Sequence, residues 1–205
     1  MVELMQIKNV VFDYGQVMIH FEPAYMVGKY VSDPADAKLL EEVVFDRLYW
    51  DDLDKDAISD EEVMAACRGR LPERLWEVAD TIYYNWIYNI PEVEGMHQLV
   101  VYLREQYGVR LFLLSNISTY FADHREEMPA LAEFDYCVLS GTIGLAKPDR
   151  AIFAHLCDTC GILPTETLFI DDSPVNIAAA RDYGINGYLF DGDVQKLKAY
   201  LDKVL

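Results

Sequence analysis

The sequence predicts an α/β fold: a three-layer core built on a mainly parallel sheet, with one helical segment inserted into it. Three observations lead there. Apolar runs bounded by turn residues recur along the chain, with helix-length stretches between them. Those runs are nearly continuous rather than alternating, as strands are when helices cover both faces of a sheet. The stretch from about 20 to 90 breaks this alternation, being acid-rich and aromatic with helical periodicity and no convincing strand.

In chain order, the first strand is "KNVVFD" at 8–13. The insertion follows directly, with helical patterns in "DAKLLEEVVFDRLYW" and "SDEEVMAACRGRL". Ser59, three residues before Glu62, offers a capping box there. Pro91 marks the return to the core, and a helix is expected over 93–106. Strands follow at 109–115 ("VRLFLLS") and 134–140 ("FDYCVLS"), a helix at 151–160, and a strand at 167–171 ("TLFID"). A helix over 173–183 ends where "YGI" supplies a stop glycine, before a last strand at 187–190. The length of 205 residues suits one domain with a large insertion or two small domains, and the pattern reads as a core of 1–19 and 91–205 with a helical insertion of 20–90.

Composition narrows the partners. Among 205 residues, 35 acids face 17 Lys and Arg, a formal net charge of −18. Long nucleic acids would be repelled, since their binding relies on basic groups that displace counterions. A small anionic substrate is compatible, because it needs only a local positive centre. No run approaches the roughly 18 apolar residues that cross a bilayer, and no basic-then-apolar leader opens the chain. The expectation is a soluble, cytoplasmic protein without membrane or nucleic-acid partners, a monomer or weak homodimer. Cys67, Cys137, Cys157 and Cys160 do not form a disulfide pattern. The CxxC of "CDTC" sits on an apolar helical pattern with no second pair to complete a zinc site, so it is read as packing.

In an open parallel sheet, ligands bind beyond the carboxyl ends of the strands, near the point where strand order reverses. The polar residues expected there are Asp13, Ser115, Asn116, Lys147, Asp171 and Asp172. Each has a plain alternative: a turn aspartate for Asp13, a helix cap for Ser115, a solvated loop lysine for Lys147, an N-cap for Asp171 or Asp172. Taken together they have a chemical logic. Three convergent carboxylates repel one another unless a cation compensates. Hard oxygen ligands suit Mg2+, which keeps waters and takes substrate phosphate as a further ligand. A carboxylate can also act as a nucleophile toward phosphorus, with a lysine and hydrogen-bond donors stabilising charge.

The motifs "VVFDYGQV", "LFLLSN", "GLAKP" and "LFIDDSPVN", in that order, make the chain resemble the haloacid dehalogenase-like hydrolases over essentially its whole length. Each motif is weak singly; their order and spacing carry the likeness. The resemblance implies a Rossmann-like core with a helical cap inserted after the first motif. It implies a Mg2+-dependent phosphomonoesterase acting on a small phosphorylated metabolite, such as a sugar phosphate, through an aspartyl phosphate. Asp13 would be the nucleophile and a metal ligand, with the Gly15 carbonyl as a second ligand. Ser115 and the Asn116 amide would hold the phosphoryl oxygens, Lys147 would neutralise charge, and Asp172, supported by Asp171, would complete the metal site. Asn176 is left as a group behind the metal site.

One departure stands out. Most phosphatases of the family carry an acid two positions after the nucleophile, to protonate the leaving oxygen and later activate water; this chain has Gly15. General acid-base catalysis is worth about 10²–10⁴-fold, so leaving groups that need little protonation should be favoured. A branch similar to bacterial alpha-D-glucose-1-phosphate phosphatase shares the D-x-G-x-V motif. The alternatives are a weakly active or inactive relative serving as a binding module, and a dehalogenase. Dehalogenases place a tyrosine at that position, but Tyr14 comes one residue too early. In the cap, His20, Glu22, Tyr25, Arg47, Trp50, Asp51, Asp52 and Tyr84 are candidates near the mouth, with "FDRLYWDDLD" foremost, although aromatics there also suit simple packing. His124 and Arg125 follow the second motif closely enough to reach the rim.

Overall fold

A computed structural model describes residues 6–205; residues 1–5 of the expected core segment lie outside the described residues. Five parallel strands form one sheet: β1 (Asn9–Phe12), β2 (Arg110–Ser115), β3 (Tyr136–Leu139), β4 (Thr167–Asp171) and β5 (Asn186–Leu189), in the order β3-β2-β1-β4-β5. All five expected strands are present. β4 matches its expected range at both ends, while the other four shift by one or two residues at one or both ends, because hydrogen-bond pairing rather than the apolar run decides where a strand stops. The sequence-based 134–140, for example, pairs only from Tyr136 to Leu139.

Between β1 and the helix that leads into β2 the chain is helical: α1 (Pro23–Gly28), α2 (Pro34–Val44), α3 (Trp50–Leu53), α4 (Asp60–Arg68) and α5 (Trp76–Asn85). The capping box of α4 forms as expected, the Ser59 hydroxyl accepting from the Glu62 N–H while the Glu62 carboxylate accepts from the Ser59 N–H. The core helices are α6 (Met96–Tyr107), α7 (Thr119–Asp123), α8 (Arg150–Cys160), α9 (Pro174–Tyr183) and α10 (Val194–Val204). Gly184 closes α9 at φ 109°, a left-handed conformation that glycine adopts without Cβ strain.

Side-chain alternation along the strands divides the core. Val10 and Phe12 face one side with Leu103 of α6 and Leu201 of α10; Val11 and Phe169 face the other with Phe153 of α8 and Ile177 of α9. Each such buried side chain contributes about 1.5–3 kcal/mol through removal from water. The first cluster continues without a break into the helical segment, where Phe21 packs edge-on against Phe45, Trp50 and Trp86 at centroid distances of 5.8, 5.4 and 5.3 Å. Cys157 and Cys160 are free thiols buried in the second cluster, in keeping with a packing role. Among the described residues no helix is long and apolar enough to cross a membrane.

Candidate active site

Strand order reverses at β1, whose neighbours β2 and β4 lead to opposite halves of the sheet. Side chains at the carboxyl ends of these three strands therefore share one crevice. Asp13 follows β1, Ser115 ends β2 and Asp171 ends β4. A cleft of about 360 Å3 opens there, lined on the core side by Asp13, Gly15, Ser115, Asn116, Lys147 and Asp172.

The centre of the site is a buried ion-pair triad. Lys147 donates to Asp13 at 2.6 Å and to Asp171 at 2.9 Å, with side-chain exposures of 2%, 12% and 0% respectively. The loop-lysine alternative for Lys147 is thus replaced by a buried ammonium. Burial works against its charge, but the two carboxylates outweigh this and hold its pKa above the ordinary value. Burial pushes Asp13 up, Lys147 draws it back, and Asp171 pushes it up again. Asp171 is fully occupied by donors: Lys147, the Ser173 N–H at 2.7 Å, and the Asn176 amide at 3.2 and 3.0 Å to its two oxygens. Asn176 thus stands where the sequence left it, behind the carboxylate cluster. Asp172 is exposed to the cleft, and burial together with Asp171 raises its pKa.

The helix-cap alternatives also give way. The N-cap of α9 is Ser173, not Asp171 or Asp172, and α7 begins after Ser118, three positions beyond Ser115. Asn116 uses its side chain for something the sequence did not indicate. Its Oδ1 accepts from the Lys147 N–H at 2.8 Å and its Nδ2 donates to the Lys147 carbonyl at 3.0 Å. This pair ties the loop after β2 to the Lys147 backbone in the loop after β3, and Asn116 and Lys147 both line the cleft.

Two further supports were not legible from the motifs. Ser140, after β3, accepts from the Ile117 N–H at 2.9 Å and donates to its carbonyl at 3.2 Å, clamping the loop that carries Ser115 and Asn116. Gly141 lets this loop come so close that an added Cβ would sit 2.5 Å from the Thr119 nitrogen. On the opposite side, buried Asp60 of α4 accepts from the Tyr83 hydroxyl at 2.6 Å and the Ser118 hydroxyl at 2.7 Å, tying the helical segment to the core beside the cleft. The sequence marked only the Ser59–Glu62 capping box beside this position and gave Asp60 itself no role.

Of the candidates from the helical segment, Arg47, Trp50 and Asp51 line the cleft; His20, Glu22, Tyr25, Asp52 and Tyr84 do not. His124 is turned back onto the Tyr120 carbonyl at 2.7 Å, and neither it nor Arg125 reaches the cleft. A residue not singled out, Asp54, does line it. Among the described residues its carboxylate has no hydrogen-bond or ion-pair partner.

Asp13, Asp171 and Asp172 each offer an oxygen within 4.8 Å of the others. Among the described residues Lys147 is the one cation in ion-pair contact with these carboxylates, and the excess of acid groups on hard oxygens fits a divalent cation such as Mg2+. With Asp171 saturated by donors, Asp13 and Asp172 are the carboxylates left to meet it.

A sequence model described as haloacid dehalogenase-like hydrolase matches residues 7–184. The chain belongs to that family of hydrolases. It is 27% identical over 192 residues to the D-ribitol-5-phosphate phosphatase of Bacteroides thetaiotaomicron, covering 89% of this chain and 91% of that one. In fold it is similar to a HAD-like family hydrolase from Porphyromonas gingivalis, with TM-score 0.67, 26% identity and coverage of 96% and 98% of the two chains. A HAD family enzyme of Bacteroides thetaiotaomicron, solved in complex with magnesium and inorganic phosphate, matches with TM-score 0.68, 22% identity and coverage of 93% and 98%.

Proposed function

We propose that the protein is a Mg2+-dependent phosphomonoesterase acting on a small phosphorylated metabolite of the sugar- or polyol-phosphate kind, as a monomer or weak homodimer in the cytoplasm. The observation that carries this is the convergence of Asp13, Lys147 and Asp172 on one cleft at the switch point of the sheet. The names of the relatives support it: a polyol-phosphate phosphatase by sequence and a magnesium–phosphate complex by fold. The core is taken as 1–19 and 91–205, and the cap as 20–90.

Asp13 attacks phosphorus, forming an aspartyl phosphate as the ester oxygen leaves. Ser115 and the Asn116 N–H hold the equatorial phosphoryl oxygens, and Lys147 neutralises charge between nucleophile and phosphate. Asp13, Asp172 and the Gly15 carbonyl, with Asp171 behind them, would hold Mg2+, which would supply charge neutralisation for the bound phosphate. The cap carries Arg47, Trp50 and Asp51 over the mouth, where they select substrate and exclude water. A second reading, a binding module with little turnover, rests on Gly15 alone.

The test is phosphate release from a panel of sugar and polyol phosphates and p-nitrophenyl phosphate, in Mg2+ and in EDTA. Release should need Mg2+ and vanish in Asp13→Asn. Activity that survives chelation, or is unchanged in that variant, removes the proposal.

A further inference from the structure

The family expects a proton donor two residues after the nucleophile, and Gly15 leaves that place without a side chain. We infer that Asp54, from the cap, is the catalytic acid-base of this site, giving a proton to the leaving oxygen and then taking one from water; the inference rests on the phosphatase reading above.

Position supports it first. Asp54 follows α3 and lines the same cleft as Asp13, Gly15 and Lys147. Its backbone is fixed, its N–H donating to the Trp50 carbonyl at 2.8 Å and so closing the turn of α3. The side chain is partly buried, and unlike the other buried carboxylates here it is not consumed by structure: Asp60 holds two hydroxyls, and Asp171 holds Lys147, Ser173 and Asn176. A carboxyl group kept out of bulk water, with no partner among the described residues, is available for a substrate proton.

Electrostatics agrees. Burial pushes Asp54 up, Lys147 and Arg47 draw it down, and Asp51 and Asp13 push it up, leaving it at about 7. A carboxyl that exchanges its proton near neutrality serves as acid and as base in turn.

The proton accounting closes in two steps. In the first, an Asp13 oxygen bonds to phosphorus, the P–O ester bond breaks, and its electron pair takes the proton of Asp54. Alcohol and an Asp54 carboxylate result. In the second, that carboxylate takes a proton from water as the water oxygen bonds to phosphorus. The P–O bond to Asp13 breaks, its pair returns to Asp13, and inorganic phosphate leaves with Asp54 protonated again.

The test compares wild type, Asp54→Asn and Asp54→Glu in Mg2+ by rapid mixing, on p-nitrophenyl phosphate and on the best alkyl phosphate of the panel. p-Nitrophenolate leaves without protonation, so Asp54→Asn should still release it in a burst of about one equivalent, followed by slow turnover. On the alkyl phosphate the same variant should lose about 10²–10⁴-fold even in the first turnover. Asp54→Glu, which keeps the carboxyl, should recover part of the loss. A residue that merely shapes the cap would slow both substrates alike, and that outcome, or no loss on the alkyl ester, overturns the assignment while leaving the phosphatase reading intact. A wild type inactive on every ester overturns both.

Discussion

Replacing Lys147 by methionine, which keeps length but removes the charge, tests the triad on which the site is built. The ammonium contacts two carboxylates at 2.6 and 2.9 Å, and none of the three side chains is more than 12% exposed. At an effective dielectric of about 20, each contact corresponds to roughly 6 kcal/mol of attraction, much of it offset by the cost of removing the ions from water. What the substitution reads is different: it strands two carboxylates beside each other with no cation. Breaking a buried pair in this way typically costs about 3–5 kcal/mol, a large part of the roughly 5–15 kcal/mol that stabilises a protein. With a urea m-value of about 2 kcal/mol/M, the unfolding midpoint in EDTA should fall by roughly 1.5–2.5 M. Adding Asp171→Asn should recover part of that fall, because one stranded charge is removed. Mg2+ should raise the midpoint of Lys147→Met more than that of wild type, since the variant offers a more negative site. A loss below about 1 kcal/mol in EDTA, or a double variant as unstable as the sum of the singles, would refute the view that these charges depend on one another.

Asp60→Ala leaves the Tyr83 and Ser118 hydroxyls without their acceptor; a loss of about 2–3 kcal/mol is expected in urea unfolding, with faster proteolysis in the helical segment. Gly141→Ala places a methyl group 2.5 Å from the Thr119 nitrogen, so it should destabilise by about 1–3 kcal/mol and depress activity by displacing the loop that carries Ser115. Asp54 gives a pH signature in the metal-free protein. Its folded pKa of about 7 lies above the ordinary 3.8, so the folded state holds the proton more tightly and stability falls as pH rises between those values. Asp54→Asn should therefore match wild type below about pH 4 and become progressively more stable than it up to about pH 7, as followed by thermal unfolding in EDTA across that range. Cys157, buried and with its thiol pushed up to about 11, should react with alkylating reagents at pH 8 only on unfolding, as monitored by mass spectrometry.

The strands could be read from the chain because each is a nearly unbroken apolar run ending in a polar residue, as at "VVFD" and "LFID". The helical insertion was readable for a related reason: "DAKLLEEVV" repeats at the helical period and places Leu40, Val43 and Val44 on the buried side. The convergence of Asp13, Ser115, Lys147 and Asp172 was legible through the rule that strand ends at a switch point share a crevice. What those side chains touch was not. Lys147 could have been a solvated loop residue, and Asn116 gave no sign that its amide would grip the lysine backbone across 31 positions of chain. Asp54 sat among Asp51, Asp52 and Asp56 with nothing in its local pattern to separate it from them.

The amino-acid sequence by itself determined the periodicities, and through them the layers of the fold and the set of polar residues that end its strands. Those properties are local, fixed by the spacing of apolar side chains along a few turns or a few pleats. Tertiary structure alone decided which carboxylates became buried, which were neutralised by Lys147, and which one, Asp54, was left partly buried over the cleft with no partner among the described residues. Burial and Coulomb energy depend on distances between segments remote in the chain, and those distances exist only once the cap has packed against the sheet edge.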